Sequence, residues 1–177
     1  MSHLARVDVP ERLTPQALCH DHVVAVCRFA GILAGSTEEA EDIAQEALLK
    51  AMRKLDRYDP SRGPLERWLW RIVVNSARDF RRRDSRRLAL WDRLTKFRDE
   101  PSSTVEARAL DNITNQELLA AVHSLGRRDR MLLGLRYGAD LNLAAVGAAV
   151  GLSEAAAGQA VLRATSKLRK RLEVNDE

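Results

Sequence analysis

Apolar residues recur at helical spacing over most of the chain, and turn residues separate the helical stretches. The pattern predicts a first helix over Pro15–Leu33. A second begins at Ser36, with Glu39 three residues later as in a capping box. After the Pro- and Gly-containing segment 56–64, a third helix begins at about Leu65. No alternation of apolar and polar residues is long enough for a strand, so the pattern predicts an all-α protein.

The helical stretches fall into two groups, residues 15–90 and 114–172, separated by the polar segment 91–113 with Pro101 at its centre. This organisation predicts two small helical domains joined by a flexible linker. Within the second group, GLSEAAAGQAVLRATSKLRKRL at 151–172 indicates the turn and second helix of a helix-turn-helix. Unusually, the first turns of that helix are almost entirely Ala and Gly.

Charge and composition favour a polyanionic partner. The net charge is +4 and the sequence pI about 9.4, with basic runs FRRRDSRR and KLRKR. The N-terminal residues lack the apolar segment of a signal peptide, and no apolar run is long enough to enter a membrane. A cytoplasmic protein is therefore expected, associated with the nucleoid when it is active.

The reactive side chains indicate neither an enzyme nor a metal protein. Cys19 and Cys27 lie eight residues apart in one predicted helix, too far for a disulfide, and are expected to be buried small hydrophobes. With His20 and His22 they fit no standard zinc pattern. The four histidines are scattered and form no arrangement with a nucleophile or a pair of carboxylates, and no Gly-rich phosphate loop followed by Lys and Ser or Thr occurs. No cofactor, metal or small-molecule substrate is predicted.

The outer face of the second helix is polar, with an acidic end and one leucine. Its members fall at helical spacing on one side: Asp42, Gln45, Glu46, Leu49 and Arg53. A soluble helix needs a polar face, so the spacing alone leaves open whether these residues face solvent or bind a partner.

The third helix carries cations that solvation explains less well. Arg67, Arg71, Asn75, Arg78 and Arg82 are spaced 4, 4, 3 and 4 apart and form one stripe, with Val74 beside Asn75. The guanidinium groups repel one another unless an anion neutralises them, and Arg binds phosphate through paired hydrogen bonds. The central amide can pair with a base edge. We therefore favour a nucleic-acid surface over a solvated face.

The loop before this helix suits a single unstacked base. It combines an aromatic ring, small residues and a cation: Tyr58, Ser61, Arg62 and Gly63. Such a loop could hold a base beside a phosphate-binding rim.

Taken together and in order, these segments resemble the extracytoplasmic-function group of the sigma-70 family of bacterial RNA polymerase sigma factors. AEDIAQEALLKA is similar to that family's core-binding helix, WLWRIVVNSARDFRRR to its helix for the −10 promoter element, and the second group to its C-terminal domain. The resemblance covers roughly Pro15 to Leu172, and the first-group motifs are specific when they occur together.

The resemblance implies a role for each face. Asp42, Gln45 and Glu46 match positions that dock on the clamp coiled coil of polymerase, and the second domain would meet its flap. Asn75, Arg78 and the loop 58–63 match elements that take the non-template strand of a melted −10 element. Promoter DNA and core polymerase are the implied partners, together with an anti-sigma factor, and polymerase would supply the catalytic site.

The resemblance also implies that the last helix recognises the −35 element, for which this chain offers Ser153, Glu154, Gln159, Arg163, Lys167 and Lys170. Gly158, Gln159 and Ala160 stand where the family often has Lys, Ser and Arg. Most of the remaining contacts suit phosphates, which position a protein without specifying sequence. Two alternatives stay open: a stand-alone helix-turn-helix regulator, and a degenerate sigma-like protein that needs an activator.

We expect Gln159→Ala to lower selectivity for the −35 sequence, because Gln159 is the side chain best able to pair with adenine. The loss should be about 1–3 kcal/mol at one base position. Binding to a series of −35 variants would measure it. An unchanged order of preference would exclude base recognition by this residue.

Overall fold

The computed structural model describes residues 13–94 and 113–175, and their regular secondary structure is entirely helical, with no strand among them. The prediction of an all-α protein is confirmed. The helices are α1 Pro15–Leu33, α2 Thr37–Lys54, α3 Leu65–Leu94, α4 Ile113–His123, α5 Arg127–Leu133, α6 Leu143–Val150 and α7 Glu154–Asn175. Helix α3 continues four residues past 90, and the rest of the predicted linker lies almost entirely outside the described residues.

Helix starts follow the sequence signals closely. The Ser36 hydroxyl accepts a hydrogen bond from the Glu39 amide at 3.1 Å and caps α2. The Glu39 carboxylate reaches back, but it accepts from the Gly35 amide at 2.7 Å rather than from the amide of the cap itself. Thr14 caps α1 in the same way through the Ala17 amide.

Helices α1, α2 and α3 form the first domain around the predicted apolar stripes. Ile43, Ala47 and Ala51 are fully buried, and the rings of Phe29 and Trp70 meet edge to face with centroids 5.5 Å apart.

The expectation that both cysteines are buried was wrong at one position, because Cys27 is exposed while Cys19 is half-buried. Eight residues is not a multiple of the helical turn, so the two side chains point in different directions.

Helices α4 to α7 form the second domain, and a π-helical turn at Gly134–Gly138, hereafter the π-turn, continues α5.

Among the described residues, no single helix is long and apolar enough to cross a membrane; α6 and α7 meet that test only as a pair bent by 96°. Nor do three His, Cys, Asp or Glu side chains within the described ranges lie close enough together to hold a metal ion.

The two domains pack directly against each other along a seam. Helix α1 contacts α5 and the π-turn, and α3 contacts α6. The buried residues of the first domain therefore belong to the same apolar cluster as Leu135, Val146 and Ala149 of the second. The seam depends on α5, the π-turn and α1 lying very close together.

Two glycines permit this close approach. A Cβ atom at Gly138 would lie 2.7 Å from Ile32 Cδ1 and 3.3 Å from the Arg28 carbonyl group. At Gly134 it would lie 3.1 Å from Phe29 Cδ2 and 3.2 Å from Leu33 Cδ1. A Cβ atom alone requires small shifts of these side-chain ends, but a large side chain would also press on the Arg28 backbone and push the second domain away from α1.

We expect Gly138→Leu to open the seam while each domain keeps its helices, because the nearest atoms to a new side chain all belong to α1. Overpacking of this kind costs about 1–3 kcal/mol. Small-angle X-ray scattering should show a larger radius of gyration at unchanged helical circular dichroism. Gly31→Ala is the matched control, since a Cβ atom there meets nothing within 4 Å. An unchanged radius for Gly138→Leu would contradict the role given to this glycine.

Candidate nucleic-acid and partner interfaces

The outer face of α2 forms a shallow groove. All five residues predicted there line it, joined by Lys50 and by Phe80 of α3: Asp42, Gln45, Glu46, Leu49 and Arg53. Leu49 is 39% exposed, an unusual position for a large apolar side chain on a polar face. The groove thus offers carboxylates, cations and the two apolar side chains of Leu49 and Phe80, as a protein partner would require.

Glu46 is the best-anchored side chain of this groove. It accepts from Lys50 Nζ at 2.7 Å, and both of its carboxylate oxygens accept from Arg83 of α3. Partial burial raises the pKa of Glu46, but these bonds outweigh it and the pKa is lowered. The partnership with Arg83 was missed because the two residues are 37 positions apart in the chain, where no periodicity links them.

The loop between α2 and α3 is held in shape by its own polar groups. It consists of two 3₁₀ turns, Leu55–Arg57 and Pro60–Arg62. The Tyr58 hydroxyl donates to the Gly63 carbonyl at 3.1 Å, and the Tyr58 ring lies against Trp68 with centroids 5.5 Å apart. Gly63 has φ +131°, a conformation that other residues rarely adopt. The loop is therefore pre-formed rather than shaped by a ligand.

A cavity of about 180 Å³ lies beside these rings, and four guanidinium groups surround it: Arg57, Arg62, Arg67 and Arg71. The lining also includes Asp59, which accepts from the Ser61 hydroxyl at 2.7 Å and from its amide at 3.0 Å. These bonds lower the pKa of Asp59, so it stays ionised and keeps Ser61 fixed. The sequence analysis singled out neither Asp59 nor Trp68 for this site.

The predicted stripe on α3 divides into two parts. Arg67 and Arg71 face the loop cavity, whereas Arg78 and Arg82 line a second cavity at the junction of the domains. Asn75 lies between them and is exposed. Val74, which lies next to Asn75 in the sequence, is fully buried in the core shared by both domains.

Helices α6 and α7 form a helix-turn-helix whose turn depends on two glycines. Gly151 has φ +81°, and its amide and that of Leu152 both donate to the Gly147 carbonyl at 2.8 Å. A Cβ atom on Gly147 would lie 2.7 Å from the Leu152 carbonyl oxygen, so only glycine fits there. The axes of the two helices bend by 96°, within the range typical of this motif.

The small residues of α7 have a packing role. Ala157, Ala160 and Ala164 are buried, and a Cβ atom on Gly158 would lie 3.3 Å from Leu143 Cδ1 of α6. Ala155 and Ala156, in contrast, are exposed. The sparse side chains at the start of α7 therefore partly reflect close packing of α6 on α7.

The residues predicted for base or phosphate contacts do not behave alike. Gln159, Arg163 and Lys170 are exposed on α7, with Glu154 in its first turn. The Ser153 hydroxyl instead accepts from the Ala156 amide at 3.2 Å, a capping role. Lys167 donates to Asp129 of α5 at 2.7 Å, which offsets its charge. Leu162, 63% exposed, was missed because helical spacing alone did not separate it from the core.

Comparisons with known proteins agree with this arrangement. The family model for sigma-70 region 2 matches residues 18–87, and that for sigma-70 region 4 matches residues 121–170. Together they cover more than half of the chain and coincide with its two domains.

Individual relatives match over shorter or less similar stretches. The chain is 38% identical over 69 residues to the ECF RNA polymerase sigma factor SigE of Mycolicibacterium smegmatis, covering 39% of this chain and 26% of that protein. It is 26% identical over 125 residues to the ECF RNA polymerase sigma factor SigL of Mycobacterium tuberculosis, covering 71% of this chain and 64% of that protein. The matches thus span about a quarter of SigE and slightly less than two thirds of SigL.

Among solved structures, the sigma factor RpoE from Bartonella quintana, in complex with the anti-sigma factor NepR, superposes with a TM-score of 0.68. The alignment covers 90% of this chain and 96% of that one at 21% identity, so it supports the fold alone. With both regions matched in order and relatives of one kind, the chain belongs to the extracytoplasmic-function group of the sigma-70 family.

Proposed function

We propose that this chain is a sigma factor that binds core RNA polymerase and directs promoter recognition, melting of the −10 element and initiation of transcription. One observation carries the proposal: a single small domain holds both the groove on α2 and a pre-formed, arginine-lined cavity at the start of α3. A stand-alone DNA-binding regulator would need only the helix-turn-helix, and the groove would then have no use.

The α2 groove is the proposed contact with the clamp coiled coil. Glu46 is held in place by Lys50 and Arg83, so little side-chain entropy remains to be lost when a partner binds. Leu49 would supply the apolar contact at the centre, with Asp42 and Arg53 at the rim. The second domain would meet the polymerase flap.

The cavity beside Tyr58 and Trp68 is the proposed site for a flipped base of the −10 element. Unstacking a base costs a few kcal/mol, and stacking on aromatic side chains recovers about 1–3 kcal/mol per base. The arginines around the cavity suit the adjoining phosphates, and Asn75 lies one turn beyond Arg71 on the same helix for a further base. The chain itself performs no covalent chemistry, because polymerase supplies the catalytic site.

The helix-turn-helix is the proposed contact with the −35 element. Gln159 is its best candidate for pairing with a base, and exposed Ala155, Ala156 and Leu162 can contact thymine methyl groups. Arg163 and Lys170 suit the phosphate backbone. The alanine-rich helix would thus take part in recognition by approaching the DNA closely and offering methyl groups instead of long polar side chains.

Promoter binding in this scheme requires the seam to open. Elements centred near −10 and −35 lie about 25 base pairs, or about 85 Å, apart at 3.4 Å per base pair. A compact chain of this length has a radius of gyration of only about 16 Å. The closed arrangement is therefore the free form or one held by an inhibitor. We propose that the inhibitor is an anti-sigma factor. The similar sigma factor RpoE from Bartonella quintana was solved in complex with a protein of that name, NepR. The cytoplasm is the proposed location.

The test is transcription in vitro from a genomic DNA library with the purified chain and bacterial core polymerase. We expect transcript starts that share an upstream −10-like motif and that fall at least tenfold with Asn75→Ala. Gln16→Ala, an exposed amide on α1, is the matched control and should leave the starts unchanged. Polymerase binding without transcripts would indicate a degenerate or activator-dependent protein, and absence of both would favour the stand-alone regulator.

We expect Tyr58→Ala to weaken binding of a single-stranded −10 oligonucleotide to the chain assembled with core polymerase. Losing one stacking surface of about 1–3 kcal/mol corresponds to roughly a five- to 150-fold higher Kd. Fluorescence anisotropy would measure it. Tyr137→Ala is the control, because Tyr137 is a 59% exposed tyrosine of the second domain. Equal effects of the two substitutions would exclude a base site at the loop.

A further inference from the structure

The junction of the two domains contains a second cavity, of about 290 Å³, that is lined by six arginines. Three come from α3 and three from α5: Arg78, Arg81, Arg82, Arg127, Arg128 and Arg130. Its apolar floor includes Ala77 and Met131. The size lies near the lower end of the range for small-ligand sites. Neither domain forms this cleft alone, so it exists only while the seam is closed.

The charges of this interdomain cleft are poorly balanced. Among the described residues, no carboxylate lines it. Arg81 reaches Glu39 at 2.9 Å and donates to the Leu33 carbonyl at 2.6 Å, but its Nε atom is buried without a hydrogen-bond partner. Burial and the neighbouring Arg81 charge both lower the pKa of Arg130. Closing the seam therefore brings two sets of cations together against their mutual repulsion.

Apart from Glu39, the adjacent acidic residues of α2 and α3 are engaged away from the cleft. Glu46 binds Arg83 and Lys50, and Asp79 lies 3.8 Å from Lys50 on the α2 side of the helix. Glu39 thus offsets one of the six cations, Arg81, and no carboxylate in the described part of the chain forms an ion pair with the other five. Guanidinium groups bind phosphate oxygens in pairs, and a phosphate chain can meet both walls at once.

We propose that the interdomain cleft binds a small multivalent phosphate anion, which bridges α3 and α5 and holds the two domains closed. A ligand that binds only the closed form shifts the equilibrium towards it by the factor 1 + [L]/Kd, about 100-fold at 100 times Kd. The same anion occupies Arg78 and Arg82, two arginines proposed for promoter DNA. Its effect on transcription rests on the proposed function, whereas its binding does not.

The probe is tripolyphosphate, titrated calorimetrically into the full chain without polymerase. We expect one site, and at least tenfold weaker binding to Arg127→Gln/Arg128→Gln, whose two arginines are exposed and lie outside the proposed DNA contacts. Lys54→Gln/Arg169→Gln removes the same charge from exposed positions away from the cleft and should bind as the unchanged protein does. Circular dichroism verifies folding of each variant.

A second readout tests the bridge itself. In Gly138→Leu, tripolyphosphate should restore the compact radius of gyration, and sodium chloride at equal ionic strength should not. Equal weakening in both double variants would overturn the site in favour of general charge attraction. If tripolyphosphate binding depends on Arg127 and Arg128 but the radius of gyration of Gly138→Leu stays unchanged, the proposal that the anion bridges the two domains would be overturned. An acidic peptide or single-stranded DNA that binds in this cleft while tripolyphosphate does not would overturn the ligand class.

Discussion

The close approach of the π-turn to α1 is the constraint on which the arrangement of both domains depends. A Cβ atom at Gly138 would displace the end of the Ile32 side chain and lie 3.3 Å from the Arg28 backbone, and one at Gly134 would lie in tight contact with Phe29 and Leu33. Because these contacts are apolar, they join the two domains into one buried cluster. They also determine which charged faces meet: part of the α3 arginine stripe faces the second domain, whereas the α2 groove and the loop cavity are lined by the first domain alone.

Apolar attraction and cationic repulsion therefore act against each other at the same junction. Burial of the seam favours closure, and the six arginines of the interdomain cleft oppose it. An equilibrium set by two opposing terms is easily shifted by a partner that acts on either one. Core polymerase, promoter DNA and an anionic ligand would each act on charges that the seam brings together or leaves exposed. This balance connects the fold to the proposed need for opening.

Local features were predictable from the sequence because they depend on nearby residues. The bounds of α1, the Ser36 cap, the apolar stripe of α2 and the all-α fold follow from spacing and capping chemistry. Contacts between distant residues were not predictable. The Arg83–Glu46 bond, the burial of Val74, the pairing of Lys167 with Asp129 and the close approach at Gly138 depend on how helices pack. The roles of the polymerase and promoter residues remain predictions.

The central claim is that one apolar seam holds the free chain closed and that polymerase binding separates the domains. Double electron–electron resonance would test it, with spin labels at Glu66 of α3 and Arg169 of α7, both exposed, in a chain whose Cys19 and Cys27 are replaced by Ala. We predict a single narrow distance distribution for the free chain, and a distribution shifted by tens of ångströms when core polymerase is added. A broad distribution for the free chain, or the same narrow one with and without polymerase, would contradict the claim.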